Sequence, residues 1–253
     1  METYQPSRVR RVLALLAILL NAGFGYIYPY LPLGLEDMRT ASGHYSNFFT
    51  PAGYAFSIWG LIYLSWILYV IYSLLPSQRR NPLHDRLCGP LIVLNLLASA
   101  WIFEFTAGYI GISLFIIVGM LAVGVWVYAR AKRGTRSGRL LFPFSLFLGW
   151  IIVATFANLT AMLTAAGWHG GSWGEAAWTM FLLGVTALIG LIVGYRYRDF
   201  VIPLVIAWAV VAIGVKQRMV AHGVTFVAFA VGILMVVVAI VAFVRSLRPP
   251  RRV

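Results

Sequence analysis

Three residues at four-residue steps, Trp150, Ala154 and Asn158, could bind a flat ligand. In a helix their side chains share one face. That face offers an indole, a shallow notch and an amide, which can hold an apolar ring and bond its polar edge. The same spacing also suits a seam between membrane helices, in which alanine admits the neighbour and asparagine bonds across. Spacing alone leaves both interpretations open.

Aromatic residues repeat in a second apolar stretch, which follows Pro51. At spacings of three and four, one helix face carries Phe56, Trp59, Tyr63 and Trp66. Pro51 suits the first turn of a helix and Thr50 can serve as its N-cap, so we expect this helix to begin near residue 51. The aromatic face is either a wall of a binding pocket or core filler.

The remaining polar residues form no recognisable catalytic set. The sequence has no glycine-rich nucleotide loop and no HExxH motif, and its single Cys88 and scattered histidines lack metal-ligand spacing. Glu104 is the one acid inside an apolar run, where it has either a functional role or an interfacial one. We therefore expect neither an enzyme nor a metal site, and no required cofactor.

The composition places these residues in a membrane. The chain of 253 residues is 61% hydrophobic, has a mean hydropathy of +0.87 and is far more apolar than a soluble domain. Eight runs approach the length of about 20 residues that crosses a bilayer: 10–31, 52–75, 88–106, 109–130, 140–166, 175–195, 200–216 and 220–245. The predicted fold is all-α, a polytopic membrane helix bundle of about eight transmembrane helices.

Glycines recur in these runs at spacings that suit close contact between helices. The positions are Gly119 and Gly124 in the fourth run, Gly184, Gly190 and Gly194 in the sixth, and Gly223 and Gly232 in the eighth.

Basic residues favour one set of loops. Lys and Arg number 20 against 7 acids, but they form short clusters between apolar runs, a pattern that excludes a nucleic-acid partner. With a cytoplasmic N-terminus, only three cations fall outside: Arg39, Lys216 and Arg218. The positive-inside rule thus predicts cytoplasmic termini, in a membrane such as the bacterial inner membrane. The inside group is Arg8, Arg10, Arg11, Arg79, Arg80, Arg86, Arg130, Lys132, Arg133, Arg136, Arg139, Arg196, Arg198, Arg245, Arg248, Arg251 and Arg252.

The first run also resembles a secretory signal, with a small-residue site at Gly23-Phe24-Gly25. Cleavage there would remove the first span and disturb the alternation of charge, so we expect the run to be retained. Asn21 then lies within the membrane, where its amide needs a partner.

Two segments resemble the translocator protein family, the tryptophan-rich sensory proteins of the TspO/MBR type. The segment WIIVATFAN, residues 150–158, is similar to the family's W-x-x-x-A…N fifth helix without a gap. The segment PAGYAF, residues 51–56, is similar to the family's PPGWVF, with Tyr54 in place of Trp. Trp59 and Tyr63 are similar to the W-x-x-x-Y pattern that follows it in the family, but they come one residue early. A third segment, LNLLASAW at 94–101, resembles LNxxW with its Trp three residues late.

The resemblance implies a five-helix core at residues 1–166 that binds porphyrins, haem or other flat hydrophobic molecules, and it implies a homodimer. Three added helices and a basic cytoplasmic tail at 167–253 could alter that dimer or enlarge the pocket. Pocket roles carried over by resemblance fall on Trp150, Ala154, Asn158, Tyr54, Trp59, Tyr63, Asn95 and Trp101.

The binding hypothesis predicts an apolar slot lined by the second and fifth spans and closed by the loop at 32–50. Its partners are membrane lipid and a hydrophobic small molecule, with a tetrapyrrole as the bound group that the resemblance implies, for sensing, sequestration or translocation. The alternative is a carrier or channel for a small organic solute, in which Asn21, Asn95, Glu104 and Asn158 line a path. A membrane enzyme acting on a bound porphyrin or lipid ranks last.

Overall fold

The computed structural model describes residues 7–135 and 137–247, and this part of the chain folds into nine α-helices. They are α1 (Arg8–Ile27), α2 (Met38–His44), α3 (Ile58–Leu74), α4 (Pro82–Thr106), α5 (Ile110–Gly134), α6 (Gly138–Ala165), α7 (Gly174–Tyr197), α8 (Val201–Gln217) and α9 (His222–Leu247). The helical membrane fold predicted from the sequence is confirmed.

Every predicted span corresponds to an apolar helix, and all but one of these helices are long. Seven helical segments are long and apolar enough to cross a membrane, and α8 is a shorter apolar helix of 17 residues. The limits differ most at the beginnings of α3 and α4, and α4 begins at Pro82 and not near residue 88. Asn81 causes the earlier start, because its side chain accepts a hydrogen bond from the backbone of Leu83 and Pro82 occupies the first turn.

The prediction that the second membrane helix begins near residue 51 is wrong. A 3-10 helix covers Gly53–Ser57, and α3 begins only at Ile58. Thr50 does not cap α3, because its hydroxyl accepts a hydrogen bond from the backbone N–H of Asn47 in a preceding turn. Phe56 therefore lies ahead of the α-helix that carries Trp59, Tyr63 and Trp66.

The described chain forms two compact units. Unit 1 comprises the chain up to Ala41 together with Ser57–Phe147, and unit 2 comprises Ser42–Phe56 and the chain from Leu148 onward. In unit 1, α4 packs against α1 and α5, and α1 also packs against α3. In unit 2, α9 packs against α8 and α7. The division at residue 166 inferred from the resemblance stays a prediction.

Unit 2 uses glycine for close helix packing at some of the predicted positions. A Cβ at Gly190 would lie 2.3 Å from Met235, one at Gly194 2.5 Å from Val238, and one at Gly232 2.7 Å from Val211. The prediction is wrong for Gly184 and Gly223 of unit 2 and for Gly119 of unit 1, where a Cβ would meet no atom within 4 Å. Spacing alone does not tell which side of a helix has a neighbour.

Arg11 is buried in unit 1, although the sequence analysis counts it among the cations of a cytoplasmic segment. Its Nε donates to Oδ1 of Asp85 at 2.6 Å. Its other guanidinium nitrogens donate to four backbone carbonyls, those of Ser73, Gln78, Arg79 and Asn81. This charge joins α1 to the α3–α4 connection.

The loop at 32–50 contains α2, which Asp37 caps. Oδ1 of Asp37 accepts hydrogen bonds from the backbone of Arg39 and Thr40, and Oδ2 accepts one from the Thr40 hydroxyl at 2.6 Å. These bonds, the hydroxyl bond most of all, hold the pKa of Asp37 below its usual value. Four of the cations counted above, Arg136, Arg248, Arg251 and Arg252, lie outside the described residues.

Candidate ligand-binding site

The predicted site residues divide equally between the two units. Unit 1 contains Trp59, Tyr63, Asn95 and Trp101. Unit 2 contains Tyr54, Trp150, Ala154 and Asn158. A single ligand slot lined by residues of both units stays a prediction.

Unit 1 brings three of its four predicted residues together in an aromatic cluster, which consists of Trp59, Tyr63 and Trp101. The ring centroids of Trp59 and Tyr63 are 5.7 Å apart with an interplanar angle of 29°, and those of Trp59 and Trp101 are 6.1 Å apart at 30°. Trp59 and Tyr63 are one helical turn apart on α3, and α4 supplies Trp101. Trp59 thus contacts both other rings at a shallow angle.

Neighbouring residues fix the aromatic cluster in place. Phe105 lies one turn beyond Trp101 with a centroid distance of 5.6 Å, and Phe147 meets Trp59 edge-on at 6.5 Å. The absence of a side chain at Gly25 of α1 admits the phenol of Tyr63, whose oxygen would lie 3.3 Å from a Cβ there. All three cluster rings are buried, so a guest that stacks on them has to separate them first.

Asn95 bonds to α1 instead of joining the aromatic cluster. Its Oδ1 accepts a hydrogen bond from Nδ2 of Asn21 at 3.0 Å, and its Nδ2 donates to the backbone oxygen of Leu91 at 2.8 Å. The hydroxyl of Ser99 in turn donates to Oδ1 of Asn21 at 3.0 Å. The expectation that Asn21 has a partner inside the membrane is confirmed, and a ligand-binding role for Asn95 stays a prediction.

In unit 2, the three predicted residues of α6 lie on successive turns of the helix, and all three are buried. Trp150, Ala154 and Asn158 are each at most 9% exposed. The Trp150 ring meets Phe56 edge-on at a centroid distance of 6.0 Å. Its Nε1–H has no hydrogen-bond partner among the described residues. An indole donor buried without an acceptor is costly, and a ligand oxygen could accept from it.

Tyr54 lies at the surface of unit 2 and not among buried rings. Its ring meets Trp208 of α8 edge-on at 5.2 Å, and Nε1 of Trp208 donates to the backbone oxygen of Ala55 at 3.2 Å. Residues 54 and 55 are thereby attached to α8. Trp208 was not among the predicted site residues, because its only signal in the sequence is a single indole within an aliphatic helix.

A groove in unit 1 was also missed. It has a volume of about 520 Å³ and lies between α3 and the beginning of α6, where Leu61, Leu64 and Leu68 face Phe142 and Arg139. None of the eight predicted residues lines it. Its signal in the sequence is the leucine spacing of three and four on α3, out of phase with the aromatic face.

The described residues contain no group of three His, Cys, Asp or Glu side chains that could hold a metal ion. Glu104 is half-buried near the end of α4, and both interpretations of it, a functional role and an interfacial one, stay open.

The family model described as TSPO-like protein matches residues 11–244. The match includes α7, α8 and nearly all of α9, so the similarity extends beyond the five-helix core at 1–166 that the resemblance implies. No curated protein and no solved structure matches the chain.

Proposed function

Because this chain belongs to the TSPO-like protein family, we propose that it is a membrane receptor for a flat hydrophobic ligand such as a tetrapyrrole. The observation that carries the proposal is the aromatic cluster, in which Trp59 meets Tyr63 and Trp101 at interplanar angles of 29° and 30°. Rings at so shallow an angle can part to admit a third flat ring between them. Offset stacking would then replace the contacts that the cluster gives up.

The α6 residues of unit 2 support a ligand of the same kind. The buried indole N–H of Trp150 can donate to a carboxylate or carbonyl oxygen, and Ala154, one helical turn along α6, has a small side chain that does not block such an approach. Tetrapyrroles combine a flat apolar ring with carboxylate edges, so both sets of residues suit such a molecule. The alternative of a seam between helices predicts that these residues affect stability and leave ligand affinity unchanged.

A variant series tests the proposal. Protoporphyrin IX is titrated into the full-length protein in detergent, and the porphyrin absorbance is followed for wild type, Trp101→Leu and Trp126→Leu. Since an aromatic pair contributes about 0.5–1.5 kcal/mol beyond its buried area, Trp101→Leu should weaken binding by about two- to tenfold. Trp126 on α5 is exposed and is the matched control. Equal affinity of the two variants would overturn the assignment, and thermal melting checks that both are folded.

The carrier alternative has less support. It requires polar side chains along a path, whereas the amides of Asn21 and Asn95 bond to each other. Uptake of a small organic solute into proteoliposomes, lost in Asn158→Leu while the protein remains folded, would favour the carrier.

We also propose that both termini are cytoplasmic. The support is the charge asymmetry of the loops. In a Cys88→Ser background, an impermeant thiol reagent applied to intact cells should label Ser172→Cys, in the α6–α7 turn. Ser137→Cys, in the α5–α6 connection, should react only after permeabilisation. The reverse pattern would contradict the proposal.

A further inference from the structure

The groove between α3 and the beginning of α6 has an apolar length that matches one leaflet of a bilayer. Its wall on α3 runs from Leu61 to Tyr72, which at 1.5 Å per residue is about 16 Å. The hydrocarbon core of a bilayer is about 30 Å thick, so the groove reaches about as deep as the acyl chains of one leaflet. Leu61, Leu64 and Leu68 are each about half exposed along it.

The end of the groove nearest Tyr72 is polar and positive. Phe147 contacts Trp66 and Phe144 contacts Tyr69, so α6 runs antiparallel to α3. Arg139 and Ser137, which precede Phe144, therefore line the groove toward the C-terminal end of α3, and both are exposed. No acidic residue is among the described residues that line the groove. Arg139 has neither an ion pair nor a hydrogen bond within the described part of the chain. Its guanidinium can therefore bind a phosphate, which suits its planar set of donors.

Further basic residues flank the helix ends that are next to Arg139 and Tyr72 in the sequence. Arg130, Lys132 and Arg133 lie on the last turns of α5, and Arg79 and Arg80 follow α3. Such basic residues at the end of membrane helices attract anionic lipid headgroups.

We propose that this groove binds an anionic phospholipid, with one acyl chain along the leucines of α3 and its phosphate on Arg139. The proposal does not rest on the aromatic cluster, because none of the three cluster residues lines the groove. Lipid selectivity follows from the charge at the mouth, and lipid retention follows from the apolar wall. A lipid in this position would hold the beginning of α6 against α3.

Native mass spectrometry of the full-length protein tests the proposal. Delipidated protein is incubated with dioleoyl phosphatidylglycerol or with dioleoyl phosphatidylcholine, which share acyl chains and differ in headgroup charge. We expect wild type to retain the anionic lipid about fivefold better, the ratio that corresponds to about 1 kcal/mol per basic residue at an anionic surface. Equal retention of the two lipids by wild type would overturn the proposal.

Two matched pairs of variants separate the groove from the rest of the surface. Arg139→Gln should abolish the preference for phosphatidylglycerol, whereas Arg133→Gln, an exposed residue that does not line the groove, should keep most of it. Leu68→Trp should reduce the retention of both lipids, whereas Leu96→Trp, at an exposed leucine of α4, should not. If both members of either pair behave alike, the lipid binds elsewhere. Should Leu68→Trp fail to fold, the arginine pair still decides.

Discussion

Arg11 and Asp85 form a buried ion pair in unit 1, with 2.6 Å between Nε and Oδ1. The backbone N–H of Ser7 donates to the other carboxylate oxygen at 3.0 Å, so both charges have further partners. Removal of one member of such a pair leaves an uncompensated buried charge or strands buried acceptors.

Asp85→Asn or Arg11→Met should therefore destabilise the protein strongly. Loss of one partner of a buried pair costs about 3–5 kcal/mol, which should appear as a large fall in the melting temperature in detergent. Arg8→Met is the control, since Arg8 is an exposed arginine of the same helical turn. Equal melting temperatures for Arg11→Met and Arg8→Met would show that the buried pair does not hold α1 to the α3–α4 connection.

The amide pair of Asn21 and Asn95 should contribute less to the stability of the protein than the ion pair of Arg11 and Asp85. Hydrogen bonds between membrane helices contribute about 0.6 kcal/mol on average and up to about 1.7 kcal/mol. A double-mutant cycle of Asn21→Leu, Asn95→Leu and the double variant, measured by unfolding in denaturing detergent, should give a coupling energy in this range. Purely additive losses would mean that the two amides act independently.

Gly149 of α6 is a glycine of unit 2 whose replacement by alanine should damage helix packing. A Cβ there would lie 2.8 Å from Cβ of Val205 and 3.2 Å from the backbone oxygen of Ile202, and neither atom can move without its helix. Gly149→Ala should therefore cost about 1–3 kcal/mol, the range for overpacking. Gly184→Ala is the control, because a Cβ there meets nothing within 4 Å. Comparable melting temperatures for the two variants would contradict the close packing of α6 on α8.

The membrane helices could be predicted because length and hydropathy determine them. Their ends could not, since they depend on particular bonds. Threonine is a favourable N-cap residue, yet the hydroxyl of Thr50 accepts a hydrogen bond from the backbone N–H of Asn47. The backbone N–H of Ala52 donates to the backbone oxygen of Ala212, and the sequence of one segment does not reveal such a contact with another helix.

Part of the site could be predicted, because spacing determines which residues of one helix share a face but does not determine the contacts between helices. Spacing indicated that Trp59 and Tyr63 share a face, and it could not show that Trp101 packs against them, because that contact depends on how α3 and α4 meet. The sequence indicated that the amide of Asn21 needs a hydrogen-bond partner. It could not identify that partner as Asn95, which lies on another helix. The sequence did not indicate that Arg11 is buried, because its carboxylate and carbonyl partners lie 62 to 74 residues away in the chain.

The most direct test of the central claim is a titration of the wild-type protein with protoporphyrin IX in detergent micelles, with empty micelles as the reference. Binding through the aromatic cluster predicts a saturable change in the porphyrin absorbance, with a limiting ratio of one ligand per chain and parallel quenching of tryptophan fluorescence. A linear, unsaturable change equal to that of empty micelles would contradict the account.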